Sequence, residues 1–229
     1  MKTPPRSAFT LIELLLVISI IGVLSTLVAP AVNTMMRGSR LSQAGDKIVA
    51  VLSQARQTAL TSNHSVEVRF YQYGDPEVPG EAANNKAAGK FRALQAFEYK
   101  DDGTPMALGK LEKLPLSIIM DAGTSLSTLL DPAIPDSTNS ATQHGRGKDW
   151  TKEPGGQLPI PIANKNYNCC AFRFLSDGST NLSNTPPMLG GWFLTLHNLI
   201  DGDGRATPPP NYATIKIDSM NGSLKVFRP

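Results

Sequence analysis

One carboxylate, Glu13, stands inside a dense apolar run from Phe9 to Val32. A charge at that depth is costly unless something pairs with it. Other chemistry-bearing residues are sparse. Asp201-Gly202-Asp203-Gly204 has spacing that presents oxygens to calcium, but it lacks the rest of an EF-hand loop, including the twelfth-position glutamate. It reads more simply as a tight turn before Pro208-Pro209-Pro210. His64, His144 and His197 are far apart in sequence, with no HExxH or triad signature around them. Ser176-Asp177-Gly178 is a turn signal without a GxSxG frame, and no Walker or dinucleotide glycine loop is present. The expectation is a chain without catalytic residues, resident metal or cofactor.

Two further groups have bland and sharp readings. Cys169 and Cys170 are neighbours, and adjacent cysteines bridge only through a strained ring. They read as two small residues in a strand, with a strained redox pair or an intermolecular bridge as alternatives. Lys216, Lys225 and Arg228 lie close together near the C-terminus. They read either as a solvated strand face or as a small patch for nucleic acid.

The elements that must position these residues follow from patterning. The 229 residues suffice for one sizeable domain plus a membrane segment. Net charge is +3, from 22 basic and 19 acidic residues, but setting aside Lys2 and Arg6 leaves the basic residues only one in excess, so no broad nucleic-acid surface is implied. About twenty helical residues cross a hydrocarbon core of about 30 Å, which Phe9 to Val32 satisfies. Lys2 and Arg6 just before the span keep the N-terminus cytoplasmic and send the bulk across. No convincing signal-peptidase site follows the apolar block; a cut at Ala8-Phe9 would leave the span on the mature chain.

Leu41, Gly45, Ile48, Leu52, Ala55, Ala59 and Leu60 recur at three- and four-residue spacing, which predicts an amphipathic helix ending near Asn63. Pro30 is expected to kink or loosen the helix between its halves. The period then changes to two. Strands are expected at Ser65–Tyr71, Phe91–Tyr99, Leu116–Met120, Ala171–Leu175, Trp192–His197, Tyr212–Ile217 and Leu224–Phe227, the last two flanking a turn with Asn221-Gly222. Gly74–Lys90 and Asp131–Asn168 read as insertions.

Phe9-Thr10-Leu11-Ile12-Glu13 at the head of a span closely resembles the class III signal of type IV pilins and pseudopilins. The resemblance implies removal of leader 1–8 by a membrane prepilin peptidase, cutting between Ala8 and Phe9, and N-methylation of Phe9. Glu13 is fifth after that cut, where the family carries its glutamate, and Pro30 falls where many pilins carry a proline. Ala8 departs from the glycine the family normally has before the cut. Cleavage would create a cationic α-amine at Phe9, and Glu13 is expected to neutralise it, on an adjacent subunit or its own, during assembly.

Leu52-Ser53-Gln54-Ala55-Arg56-Gln57-Thr58-Ala59-Leu60, Phe174-Leu175-Ser176-Asp177-Gly178 and the Ile215–Val226 ending are similar to H-type minor pseudopilins of type II secretion and to fimbrial-assembly T proteins. Prepilin-like chains of Verru/Chthon cassettes, type D, also resemble this one, including an alanine before FTLIE. The resemblance implies an α+β fold: a long helix, membrane-spanning over 9–32 and amphipathic over 33–63, packed on an antiparallel β-sandwich-like head over 64–229. It implies a minor subunit of an inner-membrane-based filament, with other pilins and prepilin peptidase as partners. A major pilin, or a DNA- or ligand-binding minor pilin, is the alternative.

Overall fold

The computed structural model describes residues 10–75, 89–130, 148–149, 168–184 and 190–229. The chain divides into two compact units, Met1–Ser39 and Arg40–Pro229. One helix, α1 (Leu11–Ser62), contributes to both.

In the first unit every large apolar side chain from Leu11 to Leu24 is exposed, from 45% at Val17 to 81% at Leu11. The hydroxyls among them are satisfied within the helix: Ser19 donates to the Leu15 carbonyl, Ser25 to Ile21 and Thr26 to Val23, at 2.7–2.8 Å. Among the described residues no helix is long and apolar enough to cross a membrane. Val32, the expected limit of the span, is 46% exposed as well. The α1 backbone continues through Pro30 without a break, so the proline does not end the helix.

In the second unit the amphipathic stripe is real. Leu41, Ala44, Ile48, Leu52, Ala55 and Ala59 are buried at three- and four-residue steps. Leu60, expected on the same stripe, is 41% exposed; it lies over the turn at Gly178 instead. The helix stops where expected: Asn63 turns to φ 58°, a left-handed conformation asparagine tolerates.

The stripe packs on one face of an antiparallel sheet. Its strands are β1 (Val66–Tyr73), β2 (Lys90–Tyr99), β3 (Pro105–Ala107), β4 (Glu112–Lys113), β5 (Ile118–Met120), β6 (Lys148–Asp149), β7 (Asn168–Phe174), β8 (Trp192–Asn198), β9 (Tyr212–Ile217) and β10 (Leu224–Phe227). Their order is β10-β9-β8-β5-β2-β1-β7-β6, with β3 and β4 also on β2. Val66, Val68 and Phe70 of β1, Phe172 and Phe174 of β7, and Leu194, Leu196, Ile215 and Ile217 of β8 and β9 meet the helix in one core. The expected sandwich is therefore corrected to a single sheet: β5 joins its two halves, meeting β2 only at Phe91–Met120 and β8 along Ile118–Met120. The contact with β8 runs on past Met120, where Asp121 N–H donates to the Thr195 carbonyl.

Other boundaries shift for local reasons. The third expected strand loses Leu116 and Ser117, which form a turn closed by Ile118 N–H donating to the Pro115 carbonyl. The strand expected at Ala171 begins at Asn168, and the insertion expected over 131–168 contains β6, paired with the start of β7. The insertion expected over 74–90 lies largely outside the described residues, and Lys90 already belongs to β2. The last hairpin forms, with Ile217 opposite Leu224, so its loop is longer than a two-residue Asn-Gly turn.

Candidate functional site

The start of α1 gives Glu13 a partner. Thr10 is the N-cap: its carbonyl accepts the first helical bond from Leu14 N at 3.2 Å, and its Oγ1 accepts from Glu13 N at 3.3 Å. In return Glu13 Oε2 accepts from Thr10 N and from Thr10 Oγ1, both at 2.8 Å. This is a reciprocal capping box, Thr-x-x-Glu, satisfying backbone donors that a helix start leaves open. It also sets a negative charge against the positive end of the helix dipole. The Thr-x-x-Glu spacing is visible in the sequence, but the expectation for Glu13 rests on its membrane cost and on pairing with the Phe9 amine, not on a cap. Ala8, Phe9 and the Pro30 side chain lie outside what the structure describes.

The basic cluster is split. Lys216 and Lys225 are direct cross-strand partners on β9 and β10. Arg228 is drawn away to α1, donating to Ser42 Oγ and Asp46 Oδ1 at 3.1 Å each. Across the helix, Lys47 pairs with Glu112 at 2.9 Å and donates to the Lys113 carbonyl, so adjacent helix residues are tied to both sides of the head.

The aspartate turn is committed to structure. Asp203 Oδ1 accepts from Ala122 N and Gly204 N at 2.9 Å, and Asp203 Oδ2 is 3.2 Å from Lys90 Nζ. Asp201 closes a short 3-10 turn, Leu199–Asp201, and its carbonyl accepts from the Arg205 guanidinium. No cluster suited to a metal ion occurs among the described residues. Cys169 and Cys170 are buried thiols in β7 facing opposite sides of the strand; Cys170 Sγ lies 3.0 Å from the Leu129 carbonyl oxygen.

Three ionic clusters escaped sequence reading. On the sheet face away from α1, Glu67 Oε1 accepts from Arg69 Nε at 2.6 Å and Glu67 Oε2 from Arg173 Nε at 2.9 Å. The Arg69 and Arg173 guanidinium groups lie 4.0 Å over the Phe97 and Tyr99 rings. Burial opposes the Arg69 charge, but the Glu67 carboxylate beside it raises its pKa above the ordinary value. Burial, with Glu67 nearby, raises that of Tyr99. Just after α1, His64 bridges Glu98 at 2.9 Å and Asp101 at 3.2 Å. The His64 bond pushes Glu98 down to about 2 and raises His64. The third cluster joins His197 to Asp121, both fully buried, at 2.9 Å. Strand alternation in Val66-Glu67-Val68-Arg69-Phe70 signals two faces but not that the charged face is also buried.

Residues 4–29 match the family model of the prokaryotic N-terminal methylation motif. No curated protein and no solved structure matches the chain. The motif supports a type IV pilin-like protein with a prepilin-type signal, and it spans Ala8, Phe9 and Glu13.

Proposed function

We propose that the chain is a minor pseudopilin-like structural subunit of a type II secretion pseudopilus or type IV pilus-like filament, not an enzyme. It is made as a single-span inner-membrane precursor, with leader 1–8 in the cytoplasm, the span over 9–32 and the head in the periplasm. Prepilin peptidase cuts between Ala8 and Phe9, and the Phe9 amine is methylated. The observation that carries this reading is the methylation motif over 4–29, which holds Phe9-Thr10-Leu11-Ile12-Glu13 at the head of an exposed apolar helix. Such a helix suits both lipid and a bundle of like helices. Apolar packing gains little inside lipid, so polar complementarity selects register.

In the processed chain Glu13 faces two sets of donors: its own Thr10, and an incoming amine from Phe9. The capping box is the resting arrangement, and assembly exchanges it for the ion pair. Mass spectrometry of the mature N-terminus tests the processing. A methylated Phe9 is expected, and an intact Met1 overturns it. A Glu13→Gln variant should be cleaved yet fail to enter filaments; normal incorporation would sink the pairing.

The facing pair Lys216 and Lys225 favours a second reading, a nucleic-acid-binding minor pilin, since like charges directly opposite on a sheet are relieved by an external anion. A salt-dependent shift of labelled DNA that is lost in Lys216→Ala/Lys225→Ala supports it. No shift at low salt removes it.

A further inference from the structure

His197 lies on β8 between Ile119 of β5 and Tyr212 of β9 and is fully buried. Its Nδ1 is 2.9 Å from the Asn198 carbonyl oxygen and its Nε2 is 2.9 Å from Asp121 Oδ2. Both oxygens are acceptors, and a neutral imidazole offers a single N–H. The two contacts are hydrogen bonds together only when the ring carries two protons. Asp121 in turn gathers three backbone donors: Gly123 N at 2.7 Å on Oδ1, and Gly204 N at 3.0 Å and Arg205 N at 3.5 Å on Oδ2. Thus one carboxylate ties the end of β5, the β8 imidazole and the segment after the 3-10 turn. The two backbones touch, since a Cβ on Gly123 would lie 2.8 Å from Gly204 Cα.

We propose that His197 and Asp121 form a pH-operated latch, which holds residues 200–205 against the end of β5 while His197 is an imidazolium and frees them when it loses a proton. Deprotonation leaves one ring nitrogen lone pair against an acceptor in a dry site, and it leaves the buried Asp121 anion without its cation. The attachment that gives is the weakest one. β8 is held by ladders to both neighbours, whereas 200–205, past the Leu199 N–H that donates to the Ser117 carbonyl, is held chiefly through Asp121 and Asp203 and displays Ile200 at 73% exposure. The other groups around the ring are Asp201, Asp203 and Arg205 on that segment, Lys90 of β2 paired with Asp203, and the Tyr212 phenol of β9.

Burial opposes the His197 charge, but the Asp121 bond and the Asn198 carbonyl raise its pKa above 6.5. The latch's contribution is therefore complete below about pH 6.5 and fades as pH climbs past the folded value. Burial likewise opposes the Asp121 charge, and the His197 and Gly123 bonds outweigh it and lower the carboxyl below 3.8, so the acid limit of the closed state lies lower still. By this device pH decides whether Ile200 is presented on a fixed turn.

The test uses the full chain in detergent micelles. In a His64→Gln/His144→Gln background, ring ¹⁵N shifts report His197 alone, and both nitrogens should be protonated at pH 6. Amide exchange of peptides containing Gly204 and Arg205, corrected for base catalysis, should lose protection about tenfold per pH unit above the folded pKa. His197→Gln should abolish that step. A neutral ring at pH 6, equal protection at pH 6 and 9, or a step that persists in His197→Gln overturns the proposal. The ring measurement decides it alone if His197→Gln does not fold.

Discussion

Glu67→Gln isolates what the buried ionic cluster contributes. The substitution keeps shape and one carbonyl acceptor but removes the charge that Arg69 and Arg173 share. Arg69 has no exposed surface, so its guanidinium cannot recover the loss from water, whereas the Arg173 side chain, 15% exposed, can in part. Breaking a buried pair from one side costs about 3–5 kcal/mol. The Phe97 ring over Arg69 and the Tyr99 hydroxyl at 3.3 Å soften this, placing the expected loss at about 3 kcal/mol. With a urea slope of about 2 kcal/mol/M, the midpoint falls by about 1.5 M. The assay is urea unfolding of the full chain in a non-ionic detergent, followed by tryptophan fluorescence in a Trp150→Phe background so that Trp192 alone reports. Glu67→Leu/Arg69→Met should regain most of the loss, because it removes the fully buried Arg69 cation and leaves only Arg173, which reaches water. A Glu67→Gln loss under about 1 kcal/mol, or a double variant no better than the single one, would refute the claim that the charges depend on each other.

Gly222→Ala should destabilise the head by about 1–3 kcal/mol in the same assay, since Gly222 sits at φ 65° and a Cβ there would lie 2.4 Å from the Gly178 carbonyl oxygen. Leu52→Ala, in the middle of the buried stripe, should cost about 2–5 kcal/mol, and an exposed control, Ser53→Ala, close to nothing. The His64–Glu98 bridge sets an acid limit: with Glu98 held at about 2, its contribution is present above its ordinary 4.5 and is lost as pH falls toward 2, which acid titration of the head signals will read. Raised His64 acts oppositely, losing its contribution as pH rises above 6.5, and His64→Gln should remove this effect and weaken that of Glu98, which keeps Lys100 at 3.2 Å.

The long helix and most strands were legible because each obeys one period throughout. The stripe from Leu41 to Ala59 repeats every three or four residues, and β9 alternates buried and half-buried positions along its length. β3, β4 and β6 were not legible: two or three residues such as Glu112-Lys113 carry no period, and only pairing with a longer strand makes them strands. The sandwich expectation failed because alternation says a strand has two faces without saying whether a second sheet or other chain covers the far one. His197 and Asp121 lie 76 positions apart, and no local spacing announces that β5 and β8 will bring them within 2.9 Å.

Glu13 was legible as a chemical oddity, and the geometry changes what kind. On the proposed reading, a carboxylate in an apolar run needs a partner before processing as well as after it, because a membrane-resident precursor would hold the Phe9 amine still locked in a peptide bond. Thr10 supplies that partner from three residues away, through its amide and its hydroxyl. The two roles make separable predictions. Thr10→Ala removes the hydroxyl but leaves the backbone donor, so helix capping should weaken by about 1 kcal/mol while the carboxylate becomes more available to an amine. If assembly exchanges the cap for the ion pair, Thr10→Ala should assemble at least as well as the parent chain, whereas Glu13→Gln should not assemble. If the glutamate serves only as a cap, Glu13→Gln, whose amide oxygen still accepts from Thr10, should assemble close to the parent chain while Thr10→Ala is impaired, and a Thr10→Ser change should restore it.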